Sequence, residues 1–197
     1  MVRLTRIYTR RGDEGDTDLG DMSRARKTSP RVTAYGEVDE LNSVIGLARL
    51  APLPPGYDER LARIQNDLFD LGADLAVPEG GNSAQRRLRV TAEQVTRLER
   101  WCDEANAGLP ALPSFVLPGG TAGAAALHHA RAVCRRAERA AVALADAESV
   151  NDRAVAYLNR LSDLLFVLAR GCNRAAGRDD VLWVPGGLPE DAPEGTS

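Results

Sequence analysis

The sequence predicts an all-α protein, a five-helix antiparallel bundle behind an irregular N-terminal segment. Three observations carry the prediction. Apolar residues recur three and four positions apart in five separate stretches. Breaks containing Pro and Gly separate these stretches and are short enough to join antiparallel neighbours. Ala, Leu, Arg and Glu dominate while Ile and the aromatics are scarce, which favours helix. With 197 residues the chain can build one real core but not two comfortable ones, so residues 1–190 read as a single domain.

Residues 1–29 form a leader rich in Gly, Asp and Arg, without helical or strand periodicity. Ser29-Pro30 opens the first helix, with Ser as cap and Pro in the first turn. Val38, Leu41, Ile45 and Ala48 make its apolar stripe, and Pro52, Pro54 and Pro55 stop it. The second helix carries Leu61, Ile64, Leu68, Leu71 and Leu75 and ends before Pro78, Gly80 and Gly81. Residues 78–90, with Arg86, Arg87 and Arg89, are expected to be a mobile basic loop.

Thr91 and Gln94 form a capping box for the third helix, which turns Val95, Leu98 and Cys102 inward. Residues 106–120 return to loop. The fourth helix, about 121–147, buries Leu127, Ala130, Cys134, Ala137, Ala141 and Leu144. The fifth, about 151–175, presents Leu158, Leu161, Leu165, Leu168 and Cys172, with Gly177 as its stop. The bundle therefore occupies 30–177. A short apolar run, Val181 to Val184, precedes a Pro-, Gly- and Glu-rich tail, 185–197, that is expected to be disordered.

A net charge of −3 leaves no basic surplus to draw the molecule onto nucleic acid. No apolar run approaches bilayer length, and the first residues lack the apolar stretch of a signal peptide. Cys102, Cys134 and Cys172 lie far apart on or near apolar stripes, as reduced core residues of a cytoplasmic protein would. The two histidines, His128 and His129, are adjacent on a helix and point about 100° apart, so they cannot jointly clasp a metal.

Function must be sought on the polar faces. Arg131, Arg135 and Glu138 share one face of the fourth helix, flanked by Arg136 and Arg139. Such a row meets carboxylates, waits for an anion or is simply solvated. Asn159, Asp163, Phe166 and Arg170 run along the fifth helix and could bind a nucleoside or pair with the fourth. In the leader, glycines within Thr9 to Thr17 would let backbone N–H groups approach phosphates, and Lys27 could supply counter-charge. Asp39 and Asn42 lie one turn apart in the acidic start of the first helix, where carboxylates also suit the helix dipole. Phe115 to Gly120 is an apolar approach ending in a turn.

Taken in order, these elements resemble the PduO-type ATP:cob(I)alamin adenosyltransferases. The matching pieces are Tyr8-Thr9-Arg10-x-Gly12-Asp13-x-Gly15, Tyr35-Gly36-x-Val38-Asp39-Glu40-Leu41-Asn42, Phe115-x-Leu117-Pro118-Gly119-Gly120, Arg131-x-x-Cys134-Arg135-Arg136-Ala137-Glu138-Arg139 and Leu158-Asn159-Arg160-Leu161-Ser162-Asp163. They span nearly the whole chain. The resemblance implies a ferritin-like, cobalamin adenosyltransferase-like bundle that assembles as a homotrimer with sites between subunits. It implies ATP contacts at Thr9, Arg10, Arg11, Gly12, Thr17, Asp18 and Lys27, so that the leader is a nucleotide-binding segment, and at Arg135, Arg136, Ala137, Glu138, Arg139 and Asn159. Mg²⁺ would ride on the phosphates, with Glu138 as its protein ligand or reaching it through water. Asp39, Arg131 and Asp163 would shape the subunit boundary; Phe115, Phe166 and Asn42 would meet the cobalamin. Arg11 stands where a Thr is commoner, and residues 16–23 are more acidic than is usual in the family.

The implied reaction moves the 5′-deoxyadenosyl group of ATP to the cobalt of cob(I)alamin. Its implied partners are a corrin reductase and an adenosylcobalamin-dependent enzyme, with no nucleic acid and no membrane. Two rivals are a corrinoid-carrying module and a plain helical scaffold. The first needs no triphosphate cradle, and the second leaves the ordered motifs unexplained.

Overall fold

The computed structural model describes residue 8, residues 10–79 and residues 88–187. Thr9, Arg86, Arg87, Gly80, Gly81 and tail residues 188–197 lie outside the described residues, so expectations for them are untouched by it. Five helices form among the described residues: α1 (Pro30–Ala48), α2 (Tyr57–Leu75), α3 (Ala92–Asn106), α4 (Ala122–Ala147) and α5 (Asp152–Ala175).

Each helix starts where the local chemistry dictates. Ser29, Thr91, Thr121 and Asn151 accept hydrogen bonds from amides in the first turns of α1, α3, α4 and α5. At α3 the capping box is reciprocal: the Gln94 side chain also accepts from the Thr91 amide at 2.8 Å. Gly56 precedes α2 in the left-handed region, with Asp58 and Glu59 in the first turn facing the positive end of the dipole.

The helices alternate in direction along the chain, as side-chain pairs show. Arg49 at the end of α1 meets Asp58 at the start of α2. Arg31 at the start of α1 meets Glu148 just past α4. The Cys134 thiol of α4 contacts the Leu158 carbonyl of α5 at 3.2 Å. α4 packs against both α1 and α5, and α2 lies on α1. α3 lies outside this group against α5, in the same direction, with Arg160 meeting Glu99. That peripheral seat explains why Leu98 of α3 is buried while Val95 and Cys102 are only half-buried. The expected inward stripes of α1, α2, α4 and α5 are all buried.

The leader departs from its expected lack of strands. Residues Asp16–Asp18 (β1) and Arg24–Arg26 (β2) form an antiparallel pair, with Asp16 opposite Arg26 and Asp18 opposite Arg24. Both pairs make cross-strand ion pairs, and Arg11 adds to Asp18 at 3.1 Å. Opposite charges facing each other stabilise a ladder too short to show an apolar alternation. The unusual acidity of residues 16–23 thus has a structural partner in β2. Past β1, the Gly20 amide donates to the Ala76 carbonyl at 3.1 Å, and a Cβ at Gly20 would lie 2.6 Å from Val77. Only glycine allows the hairpin to dock so closely on the end of α2.

Candidate active site

The packing of α4 decides where its arginines point. With Leu127, Ala130, Cys134, Ala137 and Ala141 fully buried, the row divides. Arg135 and Arg139 are exposed, form no ion pair among the described residues, and are joined by an Arg139 Nη1 bond to the Arg135 carbonyl at 3.0 Å. Arg136 turns to α1, where its Nε donates to Glu37 at 2.5 Å and its Nη2 pairs with Glu40; these bonds hold its pKa above the ordinary arginine value. Ala137 is core. Of the row's outer arginines, Arg135 and Arg139 stand open among the described residues, Arg136 meets the carboxylates of α1, and the Ala137 side chain is buried.

Beside this face, Glu138 accepts from Asn159 Nδ2 of α5 at 2.9 Å. This bond aligns the two polar edges of α4 and α5. Asp163, one turn beyond Asn159, is exposed and unpaired among the described residues.

One turn before Arg135, Arg131 lines a cavity of about 650 Å³ together with Phe115, Phe166, Trp183 and Leu112. Phe115 is 78% exposed and leans on Trp183, ring centroids 6.0 Å apart. Rings this bare on a monomer's surface mark a place for an apolar partner. Phe166 is backed by the edge of His128, also at 6.0 Å. His128 is buried and, among the described residues, neither ring nitrogen has a hydrogen-bond partner; Arg131 Nε is equally orphaned there. Burial pushes the His128 pKa down, the Arg131 charge pushes it further, and Asp180 opposes them.

The leader gathers Arg10, Arg11, Gly12, Thr17, Asp18 and Lys27 in one hairpin and its approach. The Gly12 carbonyl accepts from Lys27 Nζ at 2.8 Å and from the Gly15 amide at 3.2 Å. Arg10 has φ +62° and its guanidinium stands 5.7 Å from the centroid of the Tyr8 ring. Lys27 thus sits on the Gly-rich turn, where a polyphosphate counter-charge was expected.

Asp39 and Asn42 do not reach the Phe115 cavity within one chain. They line a groove of about 380 Å³ between α1 and α2 with Tyr35, Leu68 and Phe69. Asn42 is buried, exchanging bonds with Gln65 at 3.2 and 3.1 Å, and its Oδ1 lacks a partner. Phe69 is 72% exposed. Asp39 and Arg131, expected to meet across a subunit boundary, form no ion pair with each other or with other described residues. The hairpin docks near the end of α2, whereas Arg131 lies 17 residues before Glu148, roughly 25 Å along α4. Two incomplete patches result.

Sequence reasoning underrated Trp183 as a lining group and passed over His128 as the support behind Phe166. The apolar run 181–184 was visible, but its pairing with Phe115 to Leu117, some 65 residues earlier, leaves no local signal.

Among the described residues no helix is long and apolar enough to cross a membrane, and no three His, Cys, Asp or Glu side chains gather as a metal cage. The cysteines are free thiols; burial raises the pKa of Cys134 and pushes that of Cys172 up to about 11.

The profile of the family described as "Cobalamin adenosyltransferase" matches residues 7–172. A corrinoid adenosyltransferase of Mycobacterium bovis is 54% identical over 189 residues, covering 94% of this chain and 96% of that protein. A corrinoid adenosyltransferase of Bacillus subtilis is 44% identical over 183 residues, covering 90% and 92%. A solved structure of a variant PduO-type ATP:corrinoid adenosyltransferase from Lactobacillus reuteri, complexed with cobalamin and ATP, superposes with a TM-score of 0.85 at 38% identity, covering 90% of this chain and 99% of that one. A glycine-bearing leader, an arginine edge and an aromatic-walled cavity on one helical bundle agree with that kinship, and the chain belongs to the cobalamin adenosyltransferase family.

Proposed function

We propose that the protein transfers the 5′-deoxyadenosyl group of ATP to the cobalt of cob(I)alamin. The carrying observation is the apolar cavity of Phe115, Phe166 and Trp183 set one helical turn from the exposed Arg135 and two from the exposed Arg139. A flat macrocycle suits the first and a triphosphate the second. The cobalt(I) electron pair forms the bond to C5′, the C5′–O bond breaks, and its electrons leave with triphosphate. Charge therefore grows on the leaving oxygen, where Arg135, Arg139 and the leader's Lys27 would neutralise it in a site drier than water. No general base is required.

The two patches support a site built between copies, in a homotrimer. Asp39 on the α1–α2 groove of one copy would meet Arg131 of the next. The hairpin residues Thr9 to Gly12, Thr17, Asp18 and Lys27 would then approach the α4–α5 edge of a neighbour, with Glu138, Asn159 and Asp163 ordering that edge. Asn42 would come to the cobalamin the same way.

Glu138 beside the arginine edge, without a protein-only cage among the described residues, is a donor set suited to Mg²⁺ carried on phosphate oxygens and water. Bound there, Mg²⁺ would add positive charge to the triphosphate, with Glu138 as its protein ligand directly or through water. Free thiols, two buried and one half-buried, support a cytoplasmic setting, where a corrin reductase would supply cob(I)alamin and an adenosylcobalamin-dependent enzyme would take the product.

The test is to mix the protein with chemically reduced cobalamin and ATP and follow the absorption change to adenosylcobalamin. Formation of the carbon–cobalt bond with release of triphosphate is expected. Product absent at any enzyme concentration would end this reading and favour a corrinoid carrier.

A further inference from the structure

Trp183 reaches the cavity from outside the bundle. Its segment joins the Phe115 loop through a single isolated bridge, Val116 with Leu182. The Leu117 amide donates to the Val181 carbonyl at 2.7 Å and the Trp183 amide to the Phe115 carbonyl at 2.8 Å. Pairing this short does not hold itself together in water. Something else must fasten it.

The fastening lies on α5. Asp180, just before the segment, accepts from Arg170 Nε at 2.7 Å and from Asn173 Nδ2 at 3.3 Å. The same two residues grip the other strand. Arg170 Nη2 donates to the Pro110 carbonyl at 2.6 Å, and Asn173 Oδ1 accepts from the Thr121 amide at 2.9 Å. Gly120, at φ +100°, turns directly on Asn173, where a Cβ would lie 2.1 Å from its Oδ1. Both ends of the Phe115 loop and the root of the Trp183 segment thus converge on two side chains one and two turns beyond Phe166.

We propose that Arg170 and Asn173, acting through Asp180, are positioning residues that hold Trp183 as the outer wall of the corrin cavity. Stability alone does not explain this clip. The Arg170 and Asp180 side chains are only 4% and 12% exposed, and a buried ion pair commonly gains nothing over apolar residues of similar bulk. What the guanidinium offers is geometry: its planar fork reaches Asp180 and Pro110 from two nitrogens held in fixed orientation, whereas an ammonium has one nitrogen that rotates freely. The sequence had set Arg170 in a line with Asn159, Asp163 and Phe166; the fold turns it to the tail instead. The inference rests on the corrinoid reading of the cavity.

The test uses R170M/D180L, which keeps the interior filled without stranding a charge, in a W101F background so that Trp183 is the only tryptophan left. The Trp183 emission should shift to the red, and KM for the corrinoid should rise roughly tenfold or more while KM for ATP changes by less than about twofold. Adding W183A should cost nothing further, since the clip acts through that ring. D180N, close to isosteric, is read by the same measures if the double variant fails to fold. An unmoved emission, a corrinoid KM within about twofold of the W101F parent, or full additivity with W183A would overturn the proposal. A parent that makes no adenosylcobalamin from chemically reduced cobalamin would overturn the reaction instead, leaving the emission shift to decide the clip.

Discussion

Two polar regions of this molecule are built on opposite terms. Around α2, Asp67 is 1% exposed, accepts from Gln94 and from the Tyr157 hydroxyl at 3.1 Å each, and pairs with Arg97. Two turns further along the same face, Asp74 accepts from Arg89 Nη1, the Val90 amide and Asn151, all within 2.9 Å. Each carboxylate oxygen has a donor, with Arg97 Nε left as an orphan beside them among the described residues, and three elements are tied to α2. Around the Phe115 cavity less is satisfied: among the described residues both His128 ring nitrogens and Arg131 Nε lack partners, and Phe115 stands in solvent. Satisfied polar groups specify a fold. Unsatisfied ones beside bare rings call for a further partner, be it a water, a ligand or a second copy.

The contrast can be broken by variants that separate stability from turnover. Asp67→Ala should have the largest effect, costing about 3–5 kcal/mol in denaturant unfolding because Arg97 and Tyr157 lose their buried partner. A loss under about 1 kcal/mol would show that α2 does not depend on this hub. Arg135→Ala should do the opposite, raising KM for ATP and lowering kcat/KM by about 2–4 kcal/mol of transition-state stabilisation. Its unfolding midpoint should barely move, since the side chain is exposed. An unchanged KM would remove Arg135 from the site.

Phe115→Ala sharpens the same division with a smaller effect. Turnover starting from cob(II)alamin should fall about tenfold, the scale of a lost aromatic contact, with KM for ATP unaltered. Equal turnover would refute a role for this ring. In the corrinoid reading, an apolar wall favours a cobalt freed of its lower ligand and easier to reduce.

The smallest effect concerns pH. With its pKa held below the ordinary value of 6.5, buried His128 stays neutral while its unfolded counterpart protonates. The unfolded state then binds more protons, so stability is full above 6.5 and declines as pH falls toward the folded pKa. His128→Gln should flatten that decline below the ordinary histidine value of 6.5. An identical slope would show that His128 is not the group responsible.

Much of the fold was legible because its signals are local. Ser29 and Thr91 with Gln94 cap helices through bonds spanning three residues, and the stripes of α1, α2, α4 and α5 follow the helical period. The short hairpin was not, because its three-residue strands are paired by charge, not by apolar alternation. Of the candidate site, Phe115, Phe166 and Arg131 were named from sequence and do line one cavity. Trp183 entered only within the apolar run 181–184, and Arg170, placed in line with Asn159, Asp163 and Phe166, bonds Asp180 and Pro110 instead.

The arginines of α4 mark the boundary between the two kinds of knowledge. That 135, 136 and 139 form a cationic edge, and that the chain carries the ordered motifs of a corrinoid adenosyltransferase, is written in residue types and spacing. Which arginine meets Glu37 and Glu40 and which stays open depends on how α1 lies on α4. That in turn is set by contacts some 100 residues apart. Helical periodicity records only the angle between neighbours on one helix; the partner across the interface has no period to read.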